Sequence, residues 1–173
     1  ISEWLSNRKL PHVDKDVITI AELCRDYWLH CEEYYVRPDG TATSSLLRTK
    51  QALVPLLERY SQTLASDFRA LSLRAIQTAW IDSGLKRQSI NDYTAVSRQM
   101  FKWSVYHEKI DSSVYQAINT VDNLRAGRSS AIESTPIQQV PQSHIDAVEP
   151  YVSYQVWALV QLQLLTGTRA GEL

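Results

Sequence analysis

An arginine set between glycines near the end of the chain is the residue whose setting points most directly to chemistry. Residues 166–173 read Thr-Gly-Thr-Arg-Ala-Gly-Glu-Leu and follow a strongly apolar stretch. Small residues let the backbone approach a ligand closely. The guanidinium of Arg169 has a permanent charge and a planar set of donors that fits a phosphate through two hydrogen bonds. Glu172 is placed to hold this arginine in one rotamer. The alternative is a helix end with Gly167 as its C-cap and a solvated arginine.

A second set of candidate residues surrounds a helix start that we predict at Ser89. Free backbone N–H groups and the dipole at such a start attract phosphate. Side chains four residues apart share a helix face, so basic residues along it form a stripe. For each of these side chains the alternative is an ordinary solvated group. The candidate DNA-binding residues are Lys86, Arg87, Ser89, Asn91, Arg98 and Lys102 on this helix, and Arg48 and Lys50 on an earlier one.

The charge of the chain is unevenly distributed. The formal net charge is −1, from 18 basic and 19 acidic residues, which argues against a surface coated with nucleic-acid-binding charge. From Arg37 to Lys109, however, eleven basic residues accompany six acidic ones, which makes this part +5. Phosphate attraction is screened within about 10 Å, so a DNA contact needs such a local excess. An ordinary charged helical surface is the alternative.

Other reactive side chains form no recognisable site. Cys24 and Cys31 lie in one predicted helix, about 10 Å apart by the helical rise, which is too far for a disulfide. The histidines at 12, 30, 107 and 144 are scattered along the chain, so we predict neither a metal site nor an acid–base site. No apolar run approaches the roughly 18 residues that span a bilayer. We expect a cytoplasmic protein with no membrane partner, no metal and no small-molecule cofactor.

The elements that position these residues are predicted to be helices, because apolar residues recur every three or four positions and glycine and proline are few. Thr19 with Glu22 predicts a capping box at the first helix start, and Pro55 predicts a kink or fraying in the second helix. Later helices have predicted caps at Asp67 or Ser72, Ser89, Ser143 and Ser153. The first predicted helix starts after Thr19 and runs through Tyr35, and the second is opened by Thr43 or Ser44 and ends near Tyr60. The other three run from Leu71 to Ile81, from Ser89 to about Glu108 and from Ser113 to Leu124.

The composition divides the chain into four parts. An N-terminal extension covers 1–18, and a helical domain covers 19–125. Residues 126–141 contain two prolines and no helical period, which is typical of a linker. The part 142–173 holds a short helix and then, from Ser153, a helix that is apolar nearly all round. Such a helix needs burial on several sides, so this part is predicted to be the beginning of an incomplete second domain.

Three segments of the chain, in the order in which they occur along it, resemble those of the tyrosine recombinases of the phage integrase type. Residues 166–173 resemble the family signature Thr-Gly-x-Arg-x-x-Glu-Leu. Residues 88–93 and 98–105 resemble the core-binding-domain helix that ends in a Phe-x-Trp pattern, here Phe101 to Trp103. Residues 124–129, with Thr-Pro and Val-Pro pairs after them, are similar to the stretch that links this domain to the catalytic domain. The likeness covers about residues 19–173.

The resemblance implies an all-α fold and a mechanism. The family's core-binding domain is a small SAM-like bundle of four or five helices that closes on one side of duplex DNA, and a linker and the first helices of a catalytic domain follow it. In the family a tyrosine attacks a backbone phosphodiester and forms a 3′-phosphotyrosine link, while fixed cations stabilise the transition state without a metal. Arg169 matches the first catalytic arginine and Glu172 its supporting acid. Duplex DNA and other recombinase protomers on it are the implied partners.

The chain lacks the later catalytic elements of the family pattern. The lysine hairpin, the His-x-x-Arg helix, the later histidine or tryptophan and the nucleophilic tyrosine would all lie beyond Leu173. The nine tyrosines of the chain fall in or near predicted helices, and we interpret each as a core or rim aromatic. We therefore expect the DNA-binding portion of a site-specific recombinase, truncated after its first catalytic arginine and inactive alone.

Two other interpretations stay open. One is a naturally truncated protein that occupies the recombination site, or pairs with a full-length recombinase, as a non-enzymatic modulator. An open reading frame past Leu173 that reaches a His-x-x-Arg and a tyrosine favours the fragment, and an immediate stop favours the modulator. The other interpretation is a helical protein-interaction module, which the near-neutral net charge permits. Salt-dependent binding to duplex DNA separates this module from both recombinase interpretations.

The first prediction concerns covalent chemistry. The chain as printed should form no covalent adduct with a nicked suicide DNA substrate, because none of its tyrosines matches the family nucleophile. The measurement is a denaturing gel after incubation. A protein–DNA band that survives denaturant would contradict the assignment of all nine tyrosines as structural aromatics.

Overall fold

The computed structural model describes residues 17–169, 171 and 172, and the chain is mostly helical over this range. It divides into two compact units, Ile1–Ser134 and Thr135–Leu173. The prediction of an all-helical chain is confirmed for the described residues, whose only β pairing is a few isolated bridges. None of their helices is long and apolar enough to cross a membrane. Most of the predicted extension 1–18 lies outside the described residues.

Unit 1 contains five α-helices and one short 3₁₀ turn among its described residues. We number the helices of both units in chain order. Those of unit 1 are α1 (Ile20–Tyr34), α2 (Ser44–Tyr60), α3 (Ala70–Asp82), α4 (Arg87–Tyr106) and α5 (Ser112–Asn119), with the 3₁₀ turn Ala65–Asp67 before α3. Those of unit 2 are α6 (Gln142–Asp146) and α7 (Tyr154–Thr166), with a 3₁₀ turn at Glu149–Tyr151.

The start of α1 confirms the predicted capping box. The Thr19 hydroxyl accepts a hydrogen bond from the Glu22 backbone N–H at 3.3 Å, and the Glu22 carboxylate accepts one from the Thr19 backbone N–H at 2.8 Å. These bonds from Thr19 lower the pKa of Glu22, because they stabilise the charged carboxylate. Backbone bonds from Ile20 to Thr63 and from Ala65 to Ile18 then tie this helix start to the turn before α3.

The core of unit 1 is built around α4, which packs against α1, α2, α3 and α5. At its centre Phe68 stacks on Phe101, with ring centroids 5.1 Å apart. Cys24 and Cys31 are both free and buried, and the Cys24 thiol lies 3.7 Å from the Met100 sulfur. Burial raises the pKa of the Cys24 thiol to about 12, so this side chain acts as a small apolar group at neutral pH.

Small hydroxyl side chains occupy much of the buried face of α4. Thr94, Ser97 and Ser104 are fully buried, and each donates to the carbonyl four residues earlier in the same helix. A hydroxyl satisfied in this way needs no partner from a neighbouring helix. These small polar residues share the buried face of α4 with Ile90, Met100 and Phe101. Their small volume lets the neighbouring helices approach α4 closely.

Several predicted helix ends were wrong. Helix α4 begins at Arg87 and not at Ser89, because the Arg87 backbone N–H donates to the Ile132 carbonyl at 2.8 Å and Lys86 takes the N-cap position. Helix α3 has Arg69 at its N-cap, so neither Asp67 nor Ser72 caps it. Helix α6 follows Pro141 and is not capped by Ser143. The predicted cap at Ser153 is confirmed, since its hydroxyl accepts from the Val156 backbone N–H.

Helix α5 is shorter than predicted, whereas α2 continues past Pro55 to its predicted end at Tyr60. Helix α5 starts after Asp111, whose carboxylate caps it, and ends at Asn119 instead of Leu124. Residues 121–124 are non-helical because side chains of α3 and α4 bind their backbone groups, as described below. Pro55 lies inside α2, which continues on both sides of it to Tyr60.

Part of the predicted linker 126–141 packs on unit 1. Ala131 is buried in the core, and Ile132 forms a parallel bridge with Lys86. The division between the two units falls after Ser134. The segment that precedes this division is therefore part of the helical unit, and the pairing with the start of α4 is what holds it there.

The second prediction follows from the buried face of α4. Replacing Ser97 by alanine should change the free energy of unfolding by less than about 1 kcal/mol, because the hydroxyl bonds only within its own helix. Replacing it by leucine should cost about 1–3 kcal/mol, because the site has no room for the larger side chain. Urea unfolding of both variants followed by circular dichroism measures this difference. Equal unfolding midpoints for the two variants would contradict close packing at Ser97.

Candidate nucleic-acid interface

Four of the predicted DNA-binding residues share one face of α4. Arg87, Asn91, Arg98 and Lys102 recur at intervals of four, seven and four residues, which returns each to nearly the same direction on a helix of 3.6 residues per turn. Ser89 lies about 200° around the helix from Arg87 and so belongs to the opposite side. The three basic residues Arg87, Arg98 and Lys102 thus share this face with Asn91, as the spacing of four residues predicted for Arg98 and Lys102.

This face of α4 is used to hold the chain that returns from α5. The Asn91 side chain pairs with the backbone of Leu124 in both directions: its amide donates to the Leu124 carbonyl at 3.0 Å, and its oxygen accepts from the Leu124 N–H at 2.7 Å. The Arg98 guanidinium donates to the Val121 carbonyl at 3.1 Å and to the Asn123 side chain at 2.7 Å. Residues 121–124 therefore obtain from side chains the partners that a helix or strand would otherwise supply.

Arg87 extends this contact to the end of the unit. Its guanidinium is 2.8 Å from the Glu133 carboxylate and also donates to the Leu124 carbonyl at 3.3 Å. The hydrogen bond from Arg87 lowers the pKa of Glu133. Glu133 in turn accepts from the Gly127 backbone N–H. One arginine on α4 thus connects the segments on both sides of the turn at Gly127.

Helix α3 holds the same returning segment from its other side. The buried Gln77 amide donates to the Asp122 carbonyl and to the Thr94 hydroxyl, both at 3.2 Å. Thr94 lies on α4, so Gln77 bridges α3, α4 and the segment 121–124. We call Gln77, Arg87, Asn91 and Arg98, with the backbone groups that they bind, the polar clamp.

The polar clamp changes what the predicted DNA-binding residues are available to do. Arg87, Asn91 and Arg98 already make hydrogen bonds within the chain, and each of the three side chains is partly buried. Lys86 and Lys102 are exposed, and no hydrogen bond or ion pair joins their ammonium groups to other described residues. Of the predicted residues on α4, these two lysines are the ones open to a phosphate.

Arg48 and Lys50 on α2 do not act together. Because Arg48 and Lys50 are two residues apart, they are separated by about 200° of rotation around the helix axis. They therefore lie on opposite sides of α2. Arg48 lines a cavity of about 300 Å³ together with Asp92 and Gln99 of α4. Lys50 lies at an apolar groove beside Trp28 of α1. The structure thus separates two residues that the sequence placed in one group.

The structure contains a basic surface beside the polar clamp that the sequence did not predict. Arg74 of α3 and Arg125 and Arg128 after α5 line one cleft of about 510 Å³. All three side chains are exposed. Arg74 is far from the other two along the chain, and no local spacing joins it to them. Only the fold that returns the chain past α3 brings the three together.

In unit 2, the turn after α7 holds the predicted catalytic arginine. Gly167 ends α7 in the left-handed conformation at φ 68°, and its N–H donates to the Gln163 carbonyl, as the C-cap alternative required. The Glu172 carboxylate accepts from the Arg169 backbone N–H at 2.9 Å, and the Glu172 N–H donates to the Arg169 carbonyl at the same distance. The prediction that Glu172 orients the guanidinium is corrected: in this structure it holds the arginine's backbone, while the side chain of Arg169 is exposed.

Two histidines that are distant in sequence meet at Trp103. His30 stacks on Trp103 with centroids 5.3 Å apart, and His107 lies 4.4 Å from the same ring on a tilted plane. The prediction of scattered histidines missed this pair, whereas His12 lies outside the described residues. In the part of the chain that the structure describes, no three His, Cys, Asp or Glu side chains group as metal ligands would. The pair forms an aromatic cluster with Tyr34, which stacks on His30 and is itself 69% exposed.

Comparison of the chain with protein-family models, with curated proteins and with solved structures found no match. The resemblance to tyrosine recombinases therefore depends on the quoted segments of this sequence.

The third prediction tests the polar clamp. Asn91→Ala should destabilise unit 1 by about 1–3 kcal/mol, because it leaves the N–H of Leu124 without a partner and removes one from its carbonyl. Lys102→Ala is the matched control on the same face, and we expect it to change the unfolding free energy by less than about 0.5 kcal/mol. Urea unfolding measures both. An unchanged midpoint for Asn91→Ala would show that the contact with residues 121–124 contributes nothing to stability.

Proposed function

We propose that this chain is the DNA-binding portion of a site-specific tyrosine recombinase of the phage integrase type. Unit 1 would be its SAM-like core-binding domain, and unit 2 the beginning of its catalytic domain. Arg169 would be the first catalytic arginine and Glu172 its supporting acid. The observation that carries the proposal is the order along the sequence of the three segments that resemble the family, 88–105, 124–129 and 166–173, of which the last contains the exposed Arg169.

The geometry of the turn that follows α7 supports a phosphate-binding role for Arg169. Among the described residues, no hydrogen bond or ion pair occupies its guanidinium, whereas its backbone is held on both sides by Glu172. A fixed backbone with a free planar cation suits an arginine that stabilises charge on a phosphate in the transition state. In the proposed reaction the tyrosine oxygen bonds to phosphorus as the bond to the 5′-oxygen breaks. Arg169 would donate to the non-bridging oxygens that gain negative charge.

The surface of α7 supports a place for unit 2 in a larger domain. Its apolar side chains are distributed around the helix, and none of them is buried within unit 2. Burying one such side chain is worth about 1.5–3 kcal/mol, so the helix gains stability from a further covering partner. We propose that this partner is the remainder of a catalytic domain. The exposed aliphatic side chains of α7 are Val156, Leu159, Leu162, Leu164 and Leu165.

For unit 1, exposed cations support binding to the backbone of duplex DNA. Lys86 stands at the N-terminal end of α4, beside backbone N–H groups that favour an anion. Lys102 is exposed farther along the same helix. Contacts of this kind position a protein on DNA but read no sequence. Arg87, Asn91 and Arg98 would support the interface by holding the chain beside it.

The fourth prediction is salt-dependent DNA binding by the full chain. If about four phosphates are neutralised, the logarithm of the affinity should fall with the logarithm of the salt concentration at a slope near −3.6. A Lys86→Ala, Lys102→Ala double variant should flatten this slope by up to about 1.8, because each lost phosphate contact removes about 0.9. Fluorescence anisotropy on a labelled duplex over a salt series measures the slope.

The control for this experiment is Arg59→Ala. Arg59 is exposed in the last turn of α2, outside the proposed interface, so its loss should leave the slope unchanged. An equal effect of this control and of the lysine double variant would indicate binding without a defined surface. No binding by the parent protein even at low salt would favour the protein-interaction module.

A further inference from the structure

Arginines of unit 1 fall into two groups according to what their side chains bind. Arg87 and Arg98 belong to the polar clamp, and Arg25 pairs with Asp26 at 2.8 Å. By contrast, within the described part of the chain no hydrogen bond or ion pair occupies the side chains of the three arginines that line the cleft beside α3. A guanidinium keeps its charge at every accessible pH. Three guanidinium groups without an acidic partner therefore produce a positive electrostatic potential at the cleft.

The cleft places these arginines on two of its sides. Arg74 projects from α3, while Arg125 and Arg128 project from the segment that follows α5. Asp122 is the acidic residue among those that line it, so three positive charges face one negative charge. The first turn of α3, Ala70 and Leu71, forms another part of the wall. The cleft therefore has a net positive charge and room for an extended ligand, since its volume is about 510 Å³.

The loop arginines are held in place although their side chains are unpaired. The Arg128 backbone N–H donates to the Arg125 carbonyl at 3.1 Å, which closes a four-residue turn. Gly127 has φ 67° in this turn, a left-handed conformation that glycine adopts without strain. Asn91 holds Leu124 just before the turn, and Arg87 binds Glu133 after it. The polar clamp thus fixes the backbone from which both arginines project, which lowers the entropy lost when they bind a ligand.

We propose that this cleft is a second phosphate-binding site, in which Arg74, Arg125 and Arg128 grip consecutive phosphates of a duplex DNA backbone. The proposal rests on the proposed function and adds to it a contact made by α3 and the segment after α5. A polyanion suits the cleft better than a single small anion, because the cations stand on two sides of an open cleft instead of converging in an enclosed pocket. Arginine also fits a phosphodiester through paired N–H donors.

The experiment compares three variants of the full chain by fluorescence anisotropy on a labelled duplex over a salt series. The three arginine contacts add to those of Lys86 and Lys102, so the cleft predicts a parent slope of about −4.5 instead of −3.6. An Arg74→Gln, Arg125→Gln, Arg128→Gln triple variant should flatten this slope by up to about 2.7, because it removes three phosphate contacts. Asp122→Asn should shift affinity in the opposite direction and tighten binding, because it removes the negative charge of the cleft. Arg59→Gln is the control, and its slope should equal that of the parent protein.

Folding and the identity of the anion are checked in parallel. No hydrogen bond or ion pair to another described residue holds the three arginine side chains, so the triple variant should keep the parent's circular dichroism and urea midpoint. A titration with inorganic phosphate at constant ionic strength should show no saturable binding. Saturable phosphate binding that the triple variant abolishes would assign the cleft to a small anion and overturn the proposal for DNA.

The outcomes distinguish this proposal from the proposed function. A parent protein that binds DNA and a folded triple variant with an unchanged slope would overturn the cleft proposal alone. A parent protein that does not bind DNA at low salt would overturn both. A flattened slope for the triple variant, tighter binding for Asp122→Asn and no change for Arg59→Gln together would support the cleft as a site on the DNA-binding surface.

Discussion

The interaction on which unit 1 depends is the set of hydrogen bonds that side chains of α4 make with residues 121–124, which follow α5. Residues 121–124 have no helix or strand partner, yet backbone groups excluded from water must be hydrogen-bonded. Asn91 supplies both a donor and an acceptor to Leu124, and Arg98 and Gln77 bind the carbonyls of Val121 and Asp122. This one set of bonds sets where α5 ends, where the following turn lies and how the chain reaches Ala131 in the core.

The same contacts divide the polar residues of unit 1 between two roles. Arg87, Asn91 and Arg98 of α4 are engaged in holding the chain, because a guanidinium or amide that satisfies buried backbone groups is costly to withdraw. Cations that do not belong to the polar clamp, including Lys102 on the same face of α4, keep their charge available at the surface. The chain has a net charge of −1, yet three exposed arginines, Arg74, Arg125 and Arg128, line one cleft and make its local charge positive.

In unit 2, Arg169 is held through its backbone, and its side chain stays exposed. Gly167 reverses the chain at the end of α7, and two hydrogen bonds between Glu172 and the backbone of Arg169 close the turn that follows. The carboxylate is therefore committed to main-chain geometry. An acid paired with the guanidinium itself would neutralise part of its charge, whereas an acid bonded to the backbone leaves that charge exposed.

What the sequence determined by itself is local. The capping box at Thr19, the cap at Ser153 and the glycine end of α7 were all readable from the printed residues, because each involves partners within four positions of one another. The helical class followed from the same short-range periodicity. Only the tertiary structure decided the start of α4, the end of α5, the engagement of Arg87, Asn91 and Arg98, and the meeting of Arg74 with Arg125 and Arg128. In these cases the partners are tens of residues apart, as Asn91 and Leu124 are separated by 33 positions and Arg87 and Glu133 by 46. A hydrogen bond between residues so far apart in sequence forms only after the helices have packed. No local pattern of residue types can therefore predict it.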